Sequence, residues 1–121
     1  MKKKYPKNTF FITDPVYCQD FLVVLTSTHA KYTKIVKKLI NLDVAKDDGM
    51  SGCFQALSSK KKGDLGIIWI SNKSHSLIHE IFHATAWVLL NRDIKLDSEA
   101  SEECWAYYIS YLYREIRARL T

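Results

Sequence analysis

Residues 65–90 read Leu65-Gly-Ile-Ile-Trp-Ile-Ser-Asn-Lys-Ser-His-Ser-Leu-Ile-His-Glu-Ile-Phe-His-Ala-Thr-Ala-Trp-Val-Leu-Leu90. The first part is a short run of apolar, β-branched and aromatic residues, the composition of a strand. After the polar break at Asn72 to Ser76 the pattern changes. Ser74 or Ser76 can cap a helix, and apolar residues then continue to about Leu90, where Asn91 offers a stop. A negative charge at Glu80, in the first turns, suits the positive end of the helix dipole. A strand followed closely by a helix is therefore the centre of the fold.

The flanking segments fill out an α+β domain. Thr9 to Ile12 and Tyr17 to Thr26 carry strand composition, and Asp14-Pro15 between them is a turn signal. Thr28 to Asn41 reads as a helix capped by Thr28. Its apolar positions Tyr32, Ile35, Val36, Leu39 and Ile40 recur at helical spacing, with lysines opposite. Cys53 to Ser58 pairs with Leu65 to Ser71 as a hairpin through the polar turn Ser59 to Asp64. A last helix runs from Asp97 or Ser98 to Arg119. The expected architecture is one domain over residues 1–121, with residues 1–8 flexible. It has a small mixed or antiparallel sheet, one N-terminal helix, and then two C-terminal helices. Trp69, Trp87 and Trp105 fall in three of these elements and are expected to anchor one core.

Composition excludes several classes. The chain has 121 residues, 47% hydrophobic and 26% charged, an ordinary globular balance. Its three cysteines, Cys18, Cys53 and Cys104, form no CxxC pair, so neither a disulfide framework nor a cysteine zinc knuckle is indicated. Cys53 and Cys104 read as small core hydrophobes. The basic start MKKKYPKNTF is followed by no apolar h-region, and no apolar run approaches a membrane span. A cytoplasmic protein without membrane contact is expected.

The net charge of +5 is unevenly placed. Residues 1–63 hold twelve Lys or Arg against five Asp or Glu, and residues 64–121 hold six against eight. Most of this basic excess reads as solvated surface. Nucleic acid is an open candidate partner for it.

The chemistry concentrates in His79-Glu80-Ile81-Phe82-His83. Histidines at i and i+4 on a helix share one face, one turn apart. Two imidazole nitrogens so placed can hold one tetrahedral zinc, and Glu80 beside them can reach a water at the metal. Zinc lowers the pKa of such a water, and a neighbouring carboxylate can move its proton. A third protein ligand is then needed. The segment Ser98 to Tyr107 offers Glu99, Glu102 and Glu103. Helix phase leans to Glu102, on the expected core stripe of Trp105, Ala106, Ile109, Leu112 and Ile116. Glu103 lies one residue round from it, and Glu99 could support Glu103 from one turn before.

With these residues the chain resembles the gluzincins, zinc metallopeptidases that carry HExxH on one helix and a glutamate ligand on the next. HEIFH fits that motif, and the nineteen residues between His83 and Glu103 resemble the family spacing. The run Glu103-Cys104-Trp105-Ala106-Tyr107-Tyr108-Ile109-Ser110-Tyr111-Leu112 is similar to a pattern of small phage and prophage proteins of minimal gluzincin type. The resemblance covers roughly residues 64 to 118. It implies His79, His83 and Glu103 as zinc ligands, Glu80 as general base, and a peptide or protein as substrate. It also implies that Leu65 to Ile70 is an edge strand along which an extended peptide lies.

The chain departs from the larger gluzincins in two ways. It has no room for a second domain to wall the cleft, and no histidine follows Glu103 to stabilise an oxyanion. Tyr107, Tyr108, Tyr111, Tyr113 and His75 are the remaining candidates for that role. The alternative reading is a catalytically weak or inactive protein, stabilised by zinc, that binds partners through its basic N-terminal half.

Overall fold

The computed structural model describes residues 8–44, 52–59, 63–71, 77–97 and 99–119. Elements follow in the order β1 (Thr9–Thr13), β2 (Asp20–Leu25), α1 (His29–Ile40), β3 (Gly52–Ser59), β4 (Gly63–Ile70), α2 (Leu77–Leu90) and α3 (Glu99–Arg117). The fold is α+β, with one four-stranded mixed sheet of order β1-β2-β4-β3 and three helices. β1 runs antiparallel to β2, and β3 antiparallel to β4. The two inner strands β2 and β4 run parallel, joined by a crossover that contains α1 and β3.

The inner strands explain their own composition. Both are buried over five consecutive residues, Phe21–Leu25 and Gly66–Ile70. A strand covered on both faces reads as a continuous apolar run rather than an alternation. Alternate side chains then feed two cores. Phe21, Val23, Leu25, Ile68 and Ile70 face α2 and α3. Leu22, Val24, Ile67 and Trp69 face Tyr32 and Val36 of α1. The molecule is thus three layers, a sheet between one helix and two. The single tryptophan-anchored core expected above is corrected: Trp69 packs with α1, while Trp87 and Trp105 belong to the other side.

Local chemistry sets the ends of the elements. Thr28 caps α1, its hydroxyl accepting from the Lys31 amide at 3.2 Å. Asn41 ends that helix in the left-handed conformation, at φ 54°. The expected strand at Tyr17–Thr26 starts later, at Asp20, because Asp14 organises residues 14–19 as a turn. The Asp14 carboxylate accepts from the amides of Val16 at 2.9 Å, Tyr17 at 2.6 Å and Gln19 at 3.0 Å. The Tyr108 hydroxyl of α3 donates to it at 2.8 Å. Asp14 is 1% exposed, so these four bonds offset the desolvation of its charge.

Helix α2 lies across β3 and β4 and beside α3. It buries Glu80, Ile81, Ala84, Thr85, Val88 and Leu89. The turn after it is closed by Ile94 N–H donating to Leu89 O at 2.9 Å, with Asp93 at φ 62°. α3 then returns along α2, burying Trp105, Tyr108, Leu112 and Ile116. That stripe differs from the expected one at Ala106, which is exposed. Cys53 is buried as expected, but Cys104 is exposed on α3. The expected helix caps Ser74 and Ser76, and the flexible tip up to residue 7, lie outside the described residues. Among the described residues no helix is long and apolar enough to cross a membrane.

Candidate metal centre

Helical geometry separates the residues of HEIFH onto two sides of α2. One turn apart, His79 and His83 share the face opposite Ile81 and Val88, and both are exposed. Their Nε2 atoms converge to 3.1 Å, with ring centroids 4.6 Å apart. Glu80 is turned about 100° from His79 and is only 5% exposed. One donor atom from each of His79, Glu80 and His83 lies within 4.8 Å of the other two.

These atoms can be tested against a metal. Two imidazole nitrogens bound to one tetrahedral zinc at 2.0–2.1 Å would stand about 3.3 Å apart. The 3.1 Å separation seen here is that of a hydrogen bond between the two rings and is also close to that value, so the donor pair can take a shared cation with small adjustment of two exposed rings. The Glu80 carboxyl is pushed above its ordinary pKa, chiefly by desolvation on burial. Positive charge on His79 and His83 pulls it back in part. A carboxylate in this position is more basic than an exposed one, which suits proton transfer.

The glutamates of α3 stand apart from this group. Phe82 packs on Trp105 with ring centroids 5.7 Å apart, bringing the start of α3 level with HEIFH. Glu102 and Glu103 are both exposed there. Glu102 lies about 60° from Trp105 round the helix, and Glu103 about 160°, away from the buried stripe. Neither carboxylate is among the three gathered donors. Glu99 begins α3, and its side chain, like all of His75, lies outside the described residues.

Two of the tyrosines considered for oxyanion binding are engaged with the β1–β2 turn. The Tyr108 hydroxyl is held by Asp14, and its pKa is driven up by burial and by that hydrogen bond. Tyr111 reaches Thr13 O at 3.4 Å. Tyr107 and Tyr113 are exposed. Sequence reasoning missed the role of Asp14. The signal available was Asp-Pro two residues before an aromatic, a turn in which an Asp side chain can accept from following amides.

The expected edge strand is also corrected. β4 has β2 on one side and β3 on the other, so its backbone is paired along both edges. No peptide can add to it. β3 is the outermost strand on that side, and α2 packs against it through Phe54 and Trp87, with centroids 5.6 Å apart. The basic face of α1, with Lys31, Lys34, Lys37 and Lys38 exposed, lies across the sheet from HEIFH.

Set against models of protein families, curated proteins and solved structures, the chain matches none of them.

Proposed function

We propose that the chain is a small zinc-dependent peptidase of minimal gluzincin type. The observation that carries this reading is the convergence of His79 Nε2 and His83 Nε2 to 3.1 Å with the buried Glu80 carboxyl beside them. His79 and His83 would hold the ion, with Glu103 as third ligand. The nineteen-residue spacing from His83 is what favours Glu103 over Glu102; on α3 it lies about 160° round from Trp105, which meets Phe82 of α2, so its approach to the histidines requires movement of the start of α3.

When bound, the ion supplies Lewis-acid polarisation of a carbonyl and a water of lowered pKa. Glu80 takes a proton from the attacking water and returns it to the leaving amine. Its burial excludes bulk water from that transfer and keeps its basicity up. An extended peptide would run along β3, the outer strand beside α2, by strand addition.

Hydrolysis of a peptide library by tag-free, zinc-reconstituted protein tests the reading. Wild type is expected to cleave and Glu80→Gln to retain zinc without cleaving. Equal cleavage by both would sink the assignment of Glu80. Zinc retention with no cleavage by wild type would instead favour the alternative, a zinc-stabilised binding protein.

A further inference from the structure

A second concave site lies on the other flank of α3. Trp105 faces α2, whereas Tyr108 and Tyr111 turn toward residues 13–17. Between α3 and the Asp14–Tyr17 turn is a cleft of about 380 Å³. The volume falls within the range of small-molecule sites, which are mostly apolar with a few fixed polar groups. One wall is Pro15, Val16 and Tyr17, and the other is Tyr107, Tyr111 and Arg114.

The polar groups here have a definite sign. Asp14 lines the cleft but already accepts three backbone amides and the Tyr108 hydroxyl. Four bonds use up the acceptor capacity of a carboxylate, so Asp14 offers nothing to a cation. Tyr108 is spent on the same contact. Arg114 is exposed and makes no ion pair among the described residues. The nearest acid in sequence, Glu115, is paired with Arg119 at 3.0 Å. The cleft therefore presents aromatic walls and one available guanidinium fork.

We infer that this cleft binds a small aromatic carboxylic acid, its rings between the tyrosine wall and the 14–17 turn and its carboxylate on Arg114. Tyrosine rings favour flat aromatic partners through offset or edge contacts. The planar fork of arginine matches a carboxylate with two parallel hydrogen bonds. This inference stands apart from the metal site.

The test compares 2-naphthoate with its neutral counterpart 2-naphthalenemethanol, by amide chemical-shift titration of the full chain in buffer containing EDTA. The chelator removes any metal that could hold the carboxylate. Naphthoate is expected to bind saturably, with shifts at residues 14–17 and 104–114, about threefold to fivefold more tightly than the alcohol, the range of an ion pair at an exposed arginine. Arg114→Gln should erase the difference between the two ligands. Tyr107→Ala should weaken both. Tyr107 is 70% exposed and Arg114 lies on the surface, so both variants should fold, which the same spectra would register. No saturable binding, equal affinity for acid and alcohol, or shifts confined to α1 or α2 would overturn the inference.

Discussion

Glu80 is a carboxyl group that folding places at 5% exposure, between two histidines in sequence and within 4.8 Å of both. Desolvation raises its pKa above the ordinary 4.5 of a glutamate, so the fold disfavours its charge. The sign follows. In metal-free protein the native state binds a proton more tightly than the unfolded chain does, and stability falls as pH rises above 4.5 through the raised native value. Glu80→Gln should therefore stabilise the metal-free protein at neutral pH, with the gain fading toward pH 4. Urea unfolding at several pH values checks this, and a gain independent of pH would contradict it. The same substitution should lower peptide hydrolysis on the order of 10²–10⁴-fold, the usual worth of a general base. Asp14 is the other carboxylate that matters at this scale. Tyr108→Phe removes one hydrogen bond to a buried charge and should cost about 1.5–3 kcal/mol in chemical denaturation. Among these residues the histidine pair could be read directly, because i and i+4 fixes a shared helix face. Asp14 could not, since its partners include a tyrosine 94 positions away.

Among the elements, β4 carries the sharpest constraint. Gly66 sits where a Cβ would meet Phe21 Cδ1 at 2.8 Å and Trp87 Cζ3 at 2.9 Å. Phe21 is fully buried, so the ring has no free space to enter. Gly66→Ala should destabilise by about 1–3 kcal/mol through overpacking, measured as a lower urea midpoint at unchanged slope. An unchanged midpoint would mean that the Phe21–Gly66–Trp87 contact is looser than described. Elements were legible where periodicity was strong. The capped α1, the hairpin of β3 and β4, and the end of α2 at Leu90 all follow from local pattern. Lateral order was not, because position in the chain does not say which strand is the edge. The run Leu-Gly-Ile-Ile-Trp-Ile held the clue, since an unbroken apolar strand belongs inside a sheet covered on both faces. The buried stripe of α3 follows the expected one at Trp105, Leu112 and Ile116 and departs from it at one position. Ala106 is apolar but small and stays exposed, while Tyr108 joins the buried stripe in its place.

At the scale of the molecule, the three layers separate three chemistries. The lysines of α1 occupy one face of the sheet. His79 and His83 lie on the outer surface of the two-helix layer on the other face. The aromatic cleft lies beyond α3, against the β1–β2 turn. The metal reading depends only on the second of these. In that reading the histidine ligands would be exposed and Glu80, the base, buried, an order that keeps the donors accessible while the proton acceptor stays dry. The most direct test is metal analysis of tag-free protein, reconstituted with zinc and dialysed. The account predicts about one zinc retained per chain and none by His83→Ala. No retained zinc in the wild type, or equal retention in the variant, would contradict it.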